Sequence, residues 1–241
     1  MTGFVLGSAS PARLQVLRAA GLDPVVRISE VDEDAVAAAL PPDTPPAGVV
    51  TALATAKAHT VAAALIADAA ASGRGQAAPD SYGIVSARAP RLVDDCVVVG
   101  CDSMLLVGGV LQGKPHTPDV ARARWADMAG RSADLLTGHC VLRLRDGAIV
   151  ADAHDCSTTT VHFAEPGPVE LDAYIATGEP LRVAGAFTLD GMGGWFVDRI
   201  DGDPSSVIGI GLPLLRRLLG DVGVGIAQLW IGAQLRADAI G

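Results

Sequence analysis

Along this chain the apolar residues come in short unbroken runs separated by small and polar ones, and the spacing of the runs predicts the elements. FVLGS (4 to 8) reads as a short buried strand. It turns through Ser8-Ala9-Ser10-Pro11 into ARLQVLRAAG, where Leu14, Leu17 and Arg18 fall at helical spacing. Ser10 can cap that helix, Pro11 suits its first position and Gly21 ends it. PVVRISEVDED (24 to 34) predicts a strand running into an acidic turn, and PPDTPP (41 to 46) a loop. A long helix follows over about 47 to 70, with Val50, Leu53, Val61 and Leu65 on one face. DCVVVGCDS (95 to 103) is a second buried strand, and Thr117-Pro118 opens a helix that runs to Met128 and is closed by Gly130. Residues 134 to 163 form the clearest hairpin, with Asp146-Gly147 at its turn. Residues 166 to 177 are helical and end at Gly178; a glycine-dense stretch, 185 to 211, precedes a last helix near Leu212-Pro213. Strands alternating with helices, plus one long hairpin, give an α/β chain with a mixed sheet.

Residues 71 to 94 (ASGRGQAAPDSYGIVSARAPRLVD) show no period and are rich in Gly, Ser, Ala and Pro, which marks a surface insertion. The 241 residues otherwise suit one domain, 1 to 241. Half of them are hydrophobic but only 4% are aromatic, so Ala, Val, Leu and Ile must fill the core. The formal net charge of −9 excludes general nucleic-acid binding, because the diffuse field repels phosphate. An anionic ligand needs a local cationic pocket or a metal ion. Lys57 and Lys114 are the two lysines among 18 basic residues, which suggests positions that want a compact ammonium rather than a guanidinium. Cys96, Cys101, Cys140 and Cys156 form no CxxC pair, so buried reduced thiols are expected. Neither a signal peptide nor a stretch of ~20 apolar residues is evident, and a cytoplasmic protein with no membrane contact is expected.

Candidate chemistry is scattered. GSASPAR (7 to 13) brings a strand end, small residues, two hydroxyls (Ser8, Ser10) and Arg13 to a helix start, a place where phosphate can meet unpaired N–H groups. An ordinary Ser-Pro cap explains the same residues. SEVDEDA (29 to 35) holds Glu30, Asp32, Glu33 and Asp34, either a solvated loop or a Mg²⁺ site. Lys57 sits in the Ala-rich run TALATAKAHT, where a lone lysine either faces water or points into a cleft; His59 beside it reads as a surface or core-edge residue. GCDSMLLVGGVLQGKP (100 to 115) predicts a small hairpin bracketed by Asp102 and Lys114. Asp102 follows a buried strand, where ligands gather in open α/β sheets. A carboxylate there can hold a metal or take a proton from water. Glu179, Asp190 and Arg182, in the glycine-rich region after Thr177, are candidates for reading a base or bracing a loop. Anion donors, metal carboxylates, a base and two lysines together suit phosphoryl chemistry.

In this order, LGSASPARLQVLRAAG, SEVDEDA, Lys57-Ala58, GCDSMLLVGGVLQGKP, MAGRSADLLTG, YIATGEPLRVAGAFTLDGMGGWFVDRIDGD and SSVIGIGLP resemble the Maf family of nucleoside triphosphate pyrophosphatases. The resemblance spans residues 5 to 213. It implies an inosine-triphosphatase-like fold: a long, curved mixed β-sheet with flanking helices and two lobes around a cleft. It also implies a reaction in which a metal-bound water attacks the α-phosphorus of a nucleotide, giving a monophosphate and pyrophosphate. By this likeness Ser8, Ser10 and Arg13 hold phosphates, Glu33 binds Mg²⁺ or Mn²⁺, and Lys57 and Lys114 neutralise the triphosphate. Asp102 binds the metal or deprotonates the attacking water, and the protein is a homodimer; Asp190 is expected as a substrate contact from its place in the glycine-rich region, not from the likeness.

Four departures stand against the family pattern. Ala12 replaces a guanidinium, Cys101-Asp102-Ser103 replaces Ala-Asp-Thr, Arg182-Val183 replaces Asp-Lys, and Thr188-Leu189-Asp190-Gly191 replaces the Gly-Ile-Gln-Gly of pyrimidine-preferring members. The expected activity is metal-dependent hydrolysis of non-standard or pyrimidine triphosphates. A nucleotide-binding regulator of division with little turnover, motivated by Ala12, and a nucleotidyltransferase are the alternatives.

Overall fold

Residues Asp95–Val107 form strand β3, and its side chains sort by parity. Val97, Val99 and Cys101 face one side, where they pack with Phe4, Leu6, Val141, Leu17 and Leu215. Cys96 and Val98 face the other, with Val5, Cys140, Leu142, Ala54, Ala58 and Val61. A strand buried on both faces needs an unbroken apolar run, and CVVVGC supplies it. The computed structural model describes residues 2–72 and 92–231.

Around β3 lie β1 (Gly3–Leu6), β2 (Val25–Val26), β4 (Val110–Gln112), β5 (Ser132–Arg145), β6 (Ala148–Phe163) and β7 (Val197–Asp201). They make one mixed sheet in the order β2-β1-β3-β5-β6-β7, with β4 also on β3. β1 runs parallel to β2 and β3, and the remaining pairs are antiparallel. The helices are α1 (Pro11–Ala19), α2 (Glu33–Ala38), α3 (Pro46–Ser72), α4 (Pro118–Met128), α5 (Pro168–Ala176), α6 (Pro204–Ile208) and α7 (Leu212–Asp221). α1 and α7 cover one face of the sheet and α3 the other. A third core gathers at the far end of the long strands, where Leu105, Leu135, Val161 and Phe163 meet Trp125, Tyr174 and Phe187. The few aromatic residues are concentrated there, with Trp125 edge-on to Phe163 and to Phe196 at 5.7 Å.

α3 lies on the sheet backbone itself. A Cβ at Gly100 would sit 2.2 Å from the Ala54 carbonyl, and one at Gly138 would sit 2.3 Å from that of Val50. Gly138 pairs directly with Asp102 across β5 and β3, so the two glycines let the helix descend beside that acid. At 27 residues α3 is long and apolar enough to cross a membrane, which the sequence reading had not expected of any segment. Its buried Val50, Leu53, Ala54, Ala58, Val61, Ala62 and Leu65 pack on the sheet, so it is a core helix.

The predicted elements recur with shifted bounds, and three differ in kind. β2 is two exposed residues long, and the acidic tract after it is helical rather than a turn: Asp32 accepts the Ala35 N–H at 2.9 Å and caps α2. Glu33 and Asp34 then fall in the first turn, where the helix dipole favours acids. The glycine-dense region folds as 3₁₀ turns (Glu179–Arg182, Ala184–Ala186, Met192–Phe196), β7 and α6. Both hairpins turn on two left-handed residues, Gly108-Gly109 (φ 56° and 85°) and Asp146-Gly147 (φ 50° and 77°). Of the insertion expected at 71 to 94, the first residues end α3 and the last form a 3₁₀ turn, while 73–91 lie outside the described residues. All four cysteines are free, and burial pushes the thiols of Cys96 and Cys101 up to about 12 and those of Cys140 and Cys156 to about 11.

Candidate active site

The register of β3 explains why the small hairpin brackets an acid and a lysine. β1 pairs with β3 only as far as Leu6 opposite Val99, and β4 pairs with it from Gln112 opposite Leu105. Between them, Gly100 to Met104 have β5 on one side and no strand on the other. The chain leaves β1 at one end of this gap through Gly7, Ser8 and Ser10, and leaves β4 at the other through Gly113 and Lys114. Asp102 is the midpoint.

Asp102 faces α3, on the side set by strand parity. Its Oδ1 accepts from Lys57 Nζ at 2.5 Å, and Glu33 Oε1 lies 2.8 Å from the same ammonium. Lys57 (9% exposed) and Asp102 (7%) are buried, while the Glu33 side chain is half exposed. Burial raises the Asp102 pKa above the ordinary carboxylate value, and Lys57 and Arg13 only partly offset that. Lys57 therefore points into the site rather than into water. The cause is local: Gly100 admits the α3 backbone at Ala54 and Ala58, three residues before and one after Lys57.

The opposite parity carries a polar chain. Arg13 is shared among four acceptors: Nε reaches the Gly209 carbonyl at 2.7 Å, Nη1 reaches Ser8 Oγ at 3.1 Å and the Cys101 carbonyl at 2.9 Å, and Nη2 reaches Ser103 Oγ at 3.1 Å. Ser103 and Thr137 hydroxyls are 3.1 Å apart, and Thr137 donates to the Ser206 carbonyl at 2.9 Å. Because Thr137 has one proton, its oxygen accepts from Ser103, and the chain runs Arg13 to Ser103 to Thr137 to Ser206. His139 extends it. Its Nδ1 lies 2.9 Å from the Thr137 carbonyl, and its Nε2 accepts the Gly211 N–H at 2.9 Å, which fixes a neutral ring protonated on Nδ1. Burial lowers its pKa to about 4.

At the start of α1, Ser8 Oγ accepts the Ser10 N–H at 3.2 Å and Ser10 Oγ accepts the Arg13 N–H at 3.4 Å. Both oxygens act as acceptors, which leaves each hydroxyl proton free for an anion. Ala12 contributes no polar group. Lys114 is exposed and makes no ion pair among the described residues. Asp190 is also exposed, on the 188–194 turn, and among the described residues the hydrogen bonds and ion pairs of Lys57 and Asp102 do not include it. Glu179 braces that turn: its carboxylate accepts Thr188 Oγ1 at 2.5 Å and the N–H groups of Met192 (3.2 Å) and Gly193 (3.1 Å). Burial works against it, but those donors hold its pKa below the usual range.

The structure thus brings Ser8, Ser10, Arg13, Glu33, Lys57 and Asp102 to one strand edge, with Lys114 on the turn that borders it. Sequence reasoning missed Thr137, His139 and the Gly209 carbonyl, which are joined to Arg13 only through the fold. It also missed Gly100 and Gly138, although a glycine inside a strand pattern does signal close backbone approach.

The mixed α/β sheet thus carries a buried ammonium–carboxylate group at an unpaired strand edge, beside a helix start. The chain belongs to the Maf family, described as "Maf-like protein", which matches residues 3–222. It is 72% identical over 227 residues to "Nucleoside triphosphate pyrophosphatase" of Nocardia farcinica, covering 94% of this chain and 96% of that protein. Proteins of the same name in Rhodococcus opacus and Mycolicibacterium gilvum are 63% and 53% identical over 230 residues, covering 95% of this chain and 97% and 99% of theirs.

Proposed function

We propose that the chain hydrolyses nucleoside triphosphates to a monophosphate and pyrophosphate, acting on non-standard or pyrimidine nucleotides. The carrying observation is the Lys57 ammonium held between Glu33 and Asp102 beside the open edge of β3. In this reading the triphosphate lies along the gap from the α1 start to the Lys114 turn. The Ser8 and Ser10 hydroxyls and the α1 N–H groups bind phosphate oxygens at one end. Lys114 neutralises them at the other, and Lys57 supplies charge at the centre. Water attacks the α-phosphorus, the bond from that phosphorus to the αβ-bridging oxygen breaks, and pyrophosphate leaves. Asp102 takes the proton released by the water. Arg13 engages protein acceptors with four of its five N–H donors, which orders the site and leaves one Nη2–H for a phosphate oxygen.

A divalent cation fits the donor set. Two carboxylates from different elements, Glu33 and Asp102, converge on one point already occupied by positive charge. Among the described residues no group of three His, Cys, Asp or Glu side chains could hold a metal. Mg²⁺ or Mn²⁺ held by Glu33 and Asp102 would therefore complete its shell with water and phosphate oxygens, as Mg²⁺ commonly does. When bound it would polarise the phosphoryl group under attack. A cytoplasmic homodimer is the assembly that the family likeness supports.

The test is pyrophosphate release from a panel of nucleotides, with Mg²⁺, with Mn²⁺ and with chelator. Metal-dependent release from nucleotide and water alone is expected. Tight nucleotide binding with no release would favour a regulator, the reading that Ala12 keeps open. Release that requires a second acceptor would favour a nucleotidyltransferase.

A further inference from the structure

Lys114 rides on a turn that the fold grips from both sides. The Gly113 carbonyl accepts the Gly185 N–H at 3.2 Å and a second hydrogen bond from Arg124 Nη1 at 2.5 Å. Past Lys114 and the buried Pro115, the His116 N–H donates to the Leu181 carbonyl at 3.2 Å. His116 itself is left-handed, with φ 63°. A non-glycine residue there costs on the order of 1 kcal/mol and persists only where its surroundings over-determine it.

Among the described residues Arg124 is the one side chain in this grip, and its environment is unusual for a surface cation. Arg122, on the same helix, pairs with Asp172 and Asp119. Arg124, in a chain of net charge −9, has no carboxylate partner among the described residues. It is partly buried, and burial lowers its pKa. The next residue, Trp125, donates from Nε1 to the Ala186 carbonyl at 2.9 Å. Consecutive residues of α4 therefore hold the two sides of one contact: Arg124 holds Gly113, Trp125 holds Ala186, and Gly185 joins the two. Trp125 is fully buried in the aromatic core, which makes α4 a rigid base.

We propose that Arg124 is a positioning residue for Lys114: by holding the Gly113 carbonyl it fixes the turn so that the ammonium faces the open edge of β3 before a polyphosphate arrives. This rests on Lys114 being a phosphate ligand, as argued above. Preorganisation removes an ordering cost from binding, so loss of Arg124 weakens whatever Lys114 contributes and nothing else.

A double-mutant cycle tests this through kcat/KM for pyrophosphate release. Lys114→Ala is expected to lower it about 100-fold, the scale for one charge-stabilising donor. Arg124→Met, which keeps an apolar stem and removes the donor, is expected to lower it about tenfold through misplacement of that ammonium. The double variant should match Lys114→Ala within about twofold, since a positioning residue has no effect without the group it positions. Arg124→Lys, with a donor of shorter reach, should recover part of the loss, and the thermal midpoint should stay near wild type. A double variant impaired by the product of the two single losses, or an Arg124→Met enzyme with wild-type kcat/KM, overturns the proposal. A Lys114→Ala enzyme as fast as wild type would instead overturn the role given to Lys114, while pyrophosphate release by the wild type would still stand.

Discussion

Gly100→Ala should cripple the enzyme through a methyl group that meets helix backbone. The added carbon would lie 2.2 Å from the Ala54 carbonyl oxygen and 2.8 Å from the Ala58 nitrogen. Both are helix backbone, so no side chain can rotate away. Ordinary contact begins at 3.4 Å, so α3 must retreat by about 1 Å or the sheet must bend. Overpacking of this kind costs typically 1–3 kcal/mol, and backbone on both sides places Gly100→Ala at the upper end. At about 2–4 °C per kcal/mol for a domain of this size, the melting midpoint should fall by about 6–12 °C. The same retreat draws Lys57 from Asp102, now 2.5 Å apart. A displacement of ~1 Å in a catalytic group costs about 100-fold in rate. Differential scanning calorimetry and pyrophosphate release at a temperature well below the new midpoint measure the two effects separately. Gly220→Ala is the matched control. It sits exposed in α7 with nothing within 4 Å of its new Cβ, and should stabilise by about 0.5–1 kcal/mol with unchanged rate. A Gly100→Ala protein with wild-type midpoint and wild-type rate would refute the close seating of α3 as the cause of the site.

Two further expectations follow from buried polar groups. Arg143 is fully buried and paired with Asp95 at the far end of β3, seven residues from Asp102. Asp95→Asn strands that guanidinium and should cost about 3 kcal/mol in urea unfolding, while the rate at low temperature stays near wild type. His139 binds its proton more weakly folded (about 4) than unfolded (~6.5). Its contribution is full above pH 6.5 and is lost as pH falls toward 4, about 2 kcal/mol of it between pH 7.5 and pH 5. His139→Gln should flatten that part of the stability–pH curve; an unchanged slope would show that His139 is not held neutral.

Much of the architecture was legible because periodicity and caps are local. The 134 to 163 hairpin declared itself by Asp146-Gly147, and α4 by Thr117-Pro118. The acidic tract was not, since Asp32 as a cap and Asp32 as a metal ligand look alike until Ala35 donates to it. In the site, Asp102 could be placed from its buried strand and Ser10 from its helix start. Arg13 could be read as a cation at a helix start, but its protein partners could not. Its acceptors, Ser8, Cys101, Ser103 and Gly209, come from three separate stretches, and only the assembled sheet shows that four of its donors are engaged. Glu179 could brace a loop or read a base by sequence, and the three donors around it make it a brace.

The central claim is that an acid at the unpaired edge of β3, set against a lysine, drives attack of water on a nucleotide. Steady-state pyrophosphate release by Asp102→Asn, beside wild type and with folding checked by calorimetry, tests it most directly. A folded variant slower by at least about 100-fold is predicted, the lower range for loss of a general base. A folded Asp102→Asn enzyme that turns over as fast as wild type would contradict it.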